Sequence, residues 1–396
     1  IGKAAMVYGK RRVGKTTLIQ KALKVSRYRT VYFECLKGTM QDNISGFVQE
    51  LVRAKILPVP LNFGALQDVF TYLNALPEKI IVVIDEYPYL KAMNDSATVD
   101  SIFQNIIDNR LANIELILSG SHIGMMKDTL QEKNALYGRF AVTIKLNELN
   151  YLEAAKFYPD KTPYDKAAHY AVFGGSPFVN QALNPAATIR ENIINTSLNP
   201  MSAVYLYASQ LLLSDYSVKI NAERIFSVIG NGKKRYTEIE DKLDVKKTGN
   251  LSKQIKSLID LEIIARNSPI NKIGDNKKST FEINDNLLRF YFTFIYKNAS
   301  ALQVLGAEAF YDEYIAPALT DFISRRFEGV CRDYFSLQVR SGKMKGVRNI
   351  GSYYYDDPIY RKNGEFDVAL EFADGYEIYE AKYYAQPMTL DEIHRE

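Results

Sequence analysis

Gly9-Lys10-Arg11-Arg12-Val13-Gly14-Lys15-Thr16 spaces two glycines, a lysine and a threonine as a phosphate-binding loop requires. The segment follows an apolar run, Ala4 to Tyr8, and precedes Thr17-Leu18-Ile19, which opens an amphipathic stretch. At an average glycine usage of roughly 7%, chance supplies this pattern in about one chain in a hundred. Backbone N–H groups from Gly9 through Arg12, Val13, Gly14 and Thr17 are expected to turn around phosphate oxygens. Lys15 reaches the β and γ oxygens, and the Thr16 hydroxyl ligates magnesium. The chemistry is nucleoside triphosphate binding.

A second constellation lies at Lys79 to Tyr87, where Ile80-Ile81-Val82-Val83-Ile84 reads as a buried parallel strand ending in Asp85-Glu86. Asp85 at the strand end suits the magnesium shell, and Glu86 suits polarisation of an attacking water, a pairing that hydrolytic phosphate-loop proteins need. The plain alternative is an acidic turn after a core strand.

Positioning these groups takes an alternation of strands and helices. Strands are expected at Arg29 to Cys35, Ile114 to Ser119 and Phe140 to Leu146. Helical periodicity covers Asp42 to Ala54, Leu66 to Leu76 and Val99 to Leu111. The result is a parallel sheet sandwiched by helices, whose ligands sit at the strand C-termini. Ser119, ending its strand, is placed either to sense the γ-phosphate or to cap the next helix. Arg139 could reach transition-state charge in cis or across a protomer interface, or form a surface salt bridge.

The 396 residues carry a net charge of only +4, so affinity for nucleic acid must come from a local patch. Two distant cysteines and three scattered histidines exclude a disulfide framework and zinc-ligand spacing, and fit a reducing, cytoplasmic setting. No run approaches a membrane span and no signal segment opens the chain, so no membrane partner is expected. The chain starts at Ile1, almost on the phosphate-loop strand, so preceding elements and part of the base pocket are expected to be missing.

Taken with Leu118-Ser119-Gly120-Ser121, Tyr137-Gly138-Arg139 and Phe173-Gly174-Gly175-Ser176-Pro177, these motifs resemble the archaeal-type P-loop ATPases of the STAND class, related to AAA+ proteins. The resemblance covers essentially the whole chain. It implies ATP as the nucleotide, a helical lid after the sheet, and a role as a nucleotide-driven switch. It puts Lys15 and Thr16 on phosphate and magnesium, Asp85 and Glu86 on magnesium and water, and Ser119 and Arg139 in sensing positions.

From Tyr151 to about Tyr216 the pattern is helical, consistent with that lid. Between Asn231 and Lys278, twelve Lys and Arg stand against seven Asp and Glu, a local excess larger than that of the whole chain. Three short helices (Ala222 to Ile229, Tyr236 to Leu243, Asn250 to Leu261, the last preceded by Lys247-Thr248-Gly249) and strands at Glu262 to Arg266 and Ser279 to Ile283 compose a winged helix-turn-helix. Lys253 and Lys256 face away from Ile255, Leu258 and Ile259, where they contact DNA phosphates or form a solvated basic face on a protein-binding domain.

Near the C-terminus, Gly364 to Glu371 and Tyr376 to Lys382 read as a hairpin turning at Asp374-Gly375. A two-residue turn puts Asp367 opposite Lys382 and Ala369 opposite Glu380, so Asp367, Glu380 and Lys382 share one side. Asp367 and Glu380 would hold magnesium for phosphodiester hydrolysis while Lys382 orients water. This looks like the PD-(D/E)XK nuclease fold, and Glu328 on a helix from Leu319 to Asp333 matches that family's helix carboxylate. The chain ends fourteen residues past Lys382, so the helices that usually follow are expected to be incomplete.

The expected architecture is therefore α/β and multidomain. An ATPase core spans residues 1–150, a helical lid 151–216, a winged helix 217–300 and a PD-(D/E)XK-like domain 301–396. Two functions fit it. One is an ATP-hydrolysing switch that delivers a nuclease to DNA through the winged helix and C-terminal domain. The other is a regulatory ATP-binding protein whose C-terminal hairpin is a silent module for a protein partner or self-association.

Overall fold

Runs of branched apolar residues with no polar alternation form strands only where both faces are covered, and the N-terminal half is built on that rule. The computed structural model describes residues 4–215, 222–230, 232–244, 250–357, 359, 361–386 and 388–391. Tyr216, Asn231 and Lys247-Thr248-Gly249 lie outside the described residues. The chain divides into two units, Ile1–Glu148 and Leu149–Glu396.

Unit 1 runs β1 (Ala4–Tyr8), α1 (Lys15–Lys24), β2 (Arg29–Glu34), α2 (Met40–Arg53), α3 (Leu66–Asn74), β3 (Ile80–Asp85), α4 (Tyr87–Met93), α5 (Ser96–Asn109), β4 (Ile114–Gly120), α6 (Ile123–Asp128) and β5 (Val142–Lys145). The five strands are parallel in the order β2-β3-β4-β1-β5, flanked by helices. Because β1 lies inside the sheet beside β4, the turns after β1, β3 and β4 open on one edge, where ligands sit in such sheets. Phe47, Phe70, Phe103 and Tyr87 fill the core on one side of the sheet. The expected strand from Phe140 to Leu146 is shorter, since Val142–Lys145 pair only with β1 and are exposed.

Unit 2 contains α7 (Tyr151–Ala154), α8 (Pro163–Phe173), α9 (Pro177–Ala182), α10 (Ile189–Asn192), α11 (Ala203–Asp215), α12 (Ala222–Ile229), β6 (Lys234–Arg235), α13 (Tyr236–Leu243), α14 (Asn250–Asp260), β7 (Ile264–Asn267), β8 (Thr280–Ile283), α15 (Asn286–Phe290), α16 (Ala299–Phe310), α17 (Ala316–Arg340), β9 (Asn349–Asp357), β10 (Lys362–Glu371) and β11 (Tyr376–Tyr379). Two antiparallel sheets form, β6-β8-β7 and β11-β10-β9. The strand expected from Glu262 begins only at Ile264, because Glu262 takes a left-handed conformation, φ 62°, in the turn after α14. One hydrophobic cluster runs from Tyr158 to Tyr383, so the segments expected as lid, winged helix and C-terminal domain share a core. Tyr383 stacks on Tyr164 with ring centroids 4.2 Å apart and donates to its carbonyl at 3.1 Å. Of the glycines before Pro177, Gly174 ends α8 at φ 69°, and Gly175 serves packing: a Cβ on it would sit 1.9 Å from the Leu149 carbonyl oxygen. Among the described residues no helix is long and apolar enough to cross a membrane.

Candidate functional site

The loop between β1 and α1 wraps a space that its own backbone defines. Gly14 adopts φ 97°, and a Cβ on Gly9 would collide with the Leu146 carbonyl oxygen at 2.1 Å, so both positions require glycine. Val13 is buried beneath the loop, while Arg12, Thr16 and Thr17 are exposed. The Lys15 side chain is buried and donates to the carbonyls of Gly9 (3.0 Å) and Lys10 (2.9 Å). A buried ammonium held on loop carbonyls, above a helix N-terminus, suits a polyphosphate.

Asp85 ends β3 on the same edge. Its Oδ2 accepts from Thr16 Oγ1 at 3.3 Å, which brings together the two groups expected to hold magnesium. The same oxygen accepts from the Tyr32 hydroxyl, a neighbour that the motifs did not reveal. Burial and then the bond to Asp85 push that hydroxyl further above the ordinary phenol range, so it stays a donor. Glu34 pairs with Asp85 in register, and its carboxyl is raised by burial and by the negative charge of Asp85 and Glu86. The β2 run gave no sign of either residue, because their proximity arises from strand pairing.

Glu86 caps α4 in the left-handed region at φ 50°, an uncommon conformation for a residue with a side chain. Its Oε2 accepts from the Ser121 hydroxyl at 2.8 Å and the Ser121 N–H at 3.2 Å, and Arg11 donates to Ser121 at 3.4 Å. Sequence reasoning singled out Ser119, but Ser121 is the serine that touches Glu86. The Ser119 hydroxyl is fully buried and has no hydrogen-bond partner among the described residues. The cap of α6 is His122, whose Nδ1 accepts from the Met125 N–H, so Ser119 does not cap that helix.

Of the places expected for Arg139, the structure shows the surface salt bridge. Arg139 makes a forked pair with Asp108 (Nε 2.9 and 3.2 Å, Nη2 3.0 Å), and Ala141 N–H donates to Ala4 O at the N-terminal end of β1. The loop lies past the opposite end of β1, roughly 16 Å away for five residues. Arg139 therefore cannot reach the phosphates of its own chain.

The C-terminal hairpin also differs from expectation. Phe372 N–H donates to Gly375 O at 2.8 Å, closing a loop of Phe372 to Gly375. Val368 pairs with Tyr379, so the register moves by two and Asp367 comes opposite Glu380 rather than Lys382. A shift of two preserves the face. β11 stops at Tyr379 because the Ala381 N–H bonds to Asp367 Oδ2 (3.0 Å) rather than to the ladder, beside a bulge in β10 between Phe366 and Ala369. Glu328 is not part of this group: Lys233 pairs with it at 2.9 Å and Arg332 at 3.8 Å. It lines a different cavity from Glu380. Among the described residues no three His, Cys, Asp or Glu gather to hold a metal, so the expected set of Asp367, Glu380 and Glu328 is not assembled.

With this geometry in place, likeness to known proteins decides the reading of unit 1. Residues 2–179 match the profile of a family described as an ATPase domain predominantly from Archaea. Unit 1 is a P-loop ATPase domain. Residues 291–393 match a family of archaeal and bacterial proteins of unknown function. An uncharacterized protein of Methanocaldococcus jannaschii is 28% identical over 334 residues, covering 83% of this chain and 72% of its own length. The Walker-type ATPase of Pyrococcus abyssi superposes with a TM-score of 0.54 at 19% identity, over 74% of this chain and 91% of that one. The ORC2 protein of Aeropyrum pernix, solved as ADPNP and ADP complexes, gives a TM-score of 0.47 at 12% identity over 74% and 87%. The ATPase domain binds nucleotide, and the loop, Lys15, Thr16 and Asp85 fit a magnesium-bound triphosphate.

Proposed function

We propose that the protein is an ATP-hydrolysing switch whose C-terminal unit binds DNA without cutting it. The observation that carries the hydrolytic part is Glu86, held in a left-handed turn beside Asp85 with one carboxylate oxygen fixed by Ser121. Glu86 Oε1 carries none of those bonds and takes the proton of an attacking water. Lys15 and the loop N–H groups oppose charge on the phosphates, and Thr16 with Asp85 holds magnesium. Magnesium, when bound, neutralises charge developing on the phosphoryl oxygens.

Residues 222–283 are read as a winged helix, supported by three short helices with a three-stranded antiparallel sheet. Lys253 and Lys256 are exposed on α14 while Ile255 and Leu258 are buried, an arrangement that suits phosphate contacts. The C-terminal hairpin is read as a binding module because Glu328 is engaged by Lys233 and Asp367 holds the Ala381 N–H. A nuclease remains the second reading, favoured by Asp367 and Glu380 falling opposite each other at a bulge.

The test is magnesium-dependent ATP hydrolysis with and without duplex DNA, with cleavage scored in the same tubes. Hydrolysis whose rate responds to DNA, with the DNA left intact, supports the proposal. Cutting that disappears in Asp367→Ala replaces it with an ATP-controlled nuclease. Hydrolysis indifferent to DNA turns the C-terminal unit toward protein partners.

A further inference from the structure

A cavity of about 460 Å³ opens within unit 2, lined from α15, α17, β6 and β8. The volume falls in the range of small-molecule sites. Five bases line it, Lys233, Lys234, Arg289, Arg325 and Arg326, against three carboxylates.

The carboxylates do not use up the bases. Glu282 is buried, and one of its oxygens takes both Arg289 and Arg326 at 3.0 Å, while Asn267 donates to the other. Glu328 takes Lys233 at 2.9 Å and turns the same oxygen to Arg332 at 3.8 Å. Asp321 is exposed, where water and salt screen its charge. Arg326 bonds only through Nη2, to Glu282 and to the Arg325 carbonyl. The Lys234 and Arg325 side chains make no hydrogen bond or ion pair among the described residues.

Burial gives this excess its force. Arg289 is 4% exposed and the Arg326 side chain 10%, so little water screens the positive charge at that side of the cavity. The bases at the rim are held close to it. Gly232 has φ 109°, and a Cβ on it would lie 3.1 Å from Arg325 Nη1, so the guanidinium lies against this stretch of backbone, directly before Lys233 and Lys234.

We propose that this cavity binds a small phosphorylated ligand, a phosphate monoester or free phosphate, through Arg326, Arg325 and Lys234. A phosphoryl dianion balances a lining with two more bases than acids. Guanidinium groups offer forked donors that match phosphoryl oxygens, and Phe294 and Phe322 wall the space beside them. A phosphodiester carries a single charge, and a duplex, whose major groove alone is about 12 Å wide, is too broad to enter. The site is therefore separate from the DNA contacts proposed for Lys253 and Lys256, and its occupancy requires neither ATP hydrolysis nor DNA.

The experiment measures amide hydrogen exchange of the full chain against increasing inorganic phosphate, glycerol 3-phosphate or dimethyl phosphate, with ionic strength held constant by sodium chloride. The expected result is that both dianions slow exchange in α17 and β8, while the diester needs at least about tenfold higher concentration. Slowing persists in Lys15→Ala, which separates this cavity from the phosphate loop. Tighter binding of glycerol 3-phosphate identifies a small ester as the occupant, and tighter binding of inorganic phosphate identifies the free ion. Arg325→Ala, at an exposed position that tolerates the change, and Lys234→Gln each raise the concentration for half protection about tenfold, as loss of one charged hydrogen bond predicts. Lys343→Ala, an exposed lysine outside the cavity, leaves it unchanged. No slowing in α17 and β8, equal slowing by dimethyl phosphate, protection that survives both Arg325→Ala and Lys234→Gln, or an equal loss in Lys343→Ala overturns the proposal.

Discussion

Tyr32 donates its hydroxyl to Asp85 Oδ2, the same oxygen that accepts from Thr16. The phenol thus occupies part of the carboxylate that magnesium requires. Removing the hydroxyl in Tyr32→Phe is expected to lower stability without nucleotide by about 1–2 kcal/mol, the range for a bond to an ionised group in a half-buried setting. The loss should shrink in magnesium and ATP, where Asp85 turns to the cation. Denaturant unfolding in both conditions measures it; an equal loss in each would remove the competition.

Lys15→Ala is expected to abolish ATP binding, since no other side chain at the loop replaces its buried charge. Glu86→Gln should bind ATP and turn it over about 10²- to 10⁴-fold more slowly, the range of a positioned base. Fluorescent-nucleotide binding paired with phosphate release separates the two effects. Hydrolysis by Glu86→Gln at the parent rate would strip Glu86 of its role.

Ser121→Ala leaves the backbone N–H to Glu86 but deletes the 2.8 Å hydroxyl bond. Turnover is expected to fall by about tenfold, near the 1.4 kcal/mol of one hydrogen bond, with ATP affinity unchanged. A change in affinity rather than turnover would place Ser121 on the nucleotide.

Arg139→Ala should leave hydrolysis intact in dilute protein and cost no more than about 1 kcal/mol, since the pair with Asp108 is partly exposed. Lost activity confined to high protein concentration would instead indicate an arginine acting between copies.

His169 is fully buried, donates from Nδ1 to Asp165 O at 2.7 Å and accepts at Nε2 from Asn192. Burial lowers its pKa from 6.5 to about 4. Between those values the unfolded chain binds the proton and the folded one does not, so stability falls as pH drops from about 6.5 to about 4. The full loss is of order 3 kcal/mol. Thermal melts of the parent and His169→Gln across that window should diverge, the variant being flatter.

Several features were legible in the residues because they are local. The glycine spacing of Gly9 and Gly14, Lys15, the β3 run into Asp85-Glu86 and the helices of the basic segment each depend on contacts within a few residues, where backbone conformation and periodicity decide. The hairpin was visible as two strands, but its register moved by two because Phe372 joined the loop. Tyr32, Glu34 and Ser121 reach the site only through pairing between β2, β3 and β4, which no spacing records. Arg139 and Glu328 show the reverse: each had a plausible motif, and each was drawn to a distant opposite charge, Asp108 and Lys233. The sequence by itself determined which backbone segments can cradle phosphate, since a short segment carries its own geometry. Only the tertiary structure decided which side chains share that edge and which carboxylates stand apart, because charges meet across the fold at distances that chain separation does not predict.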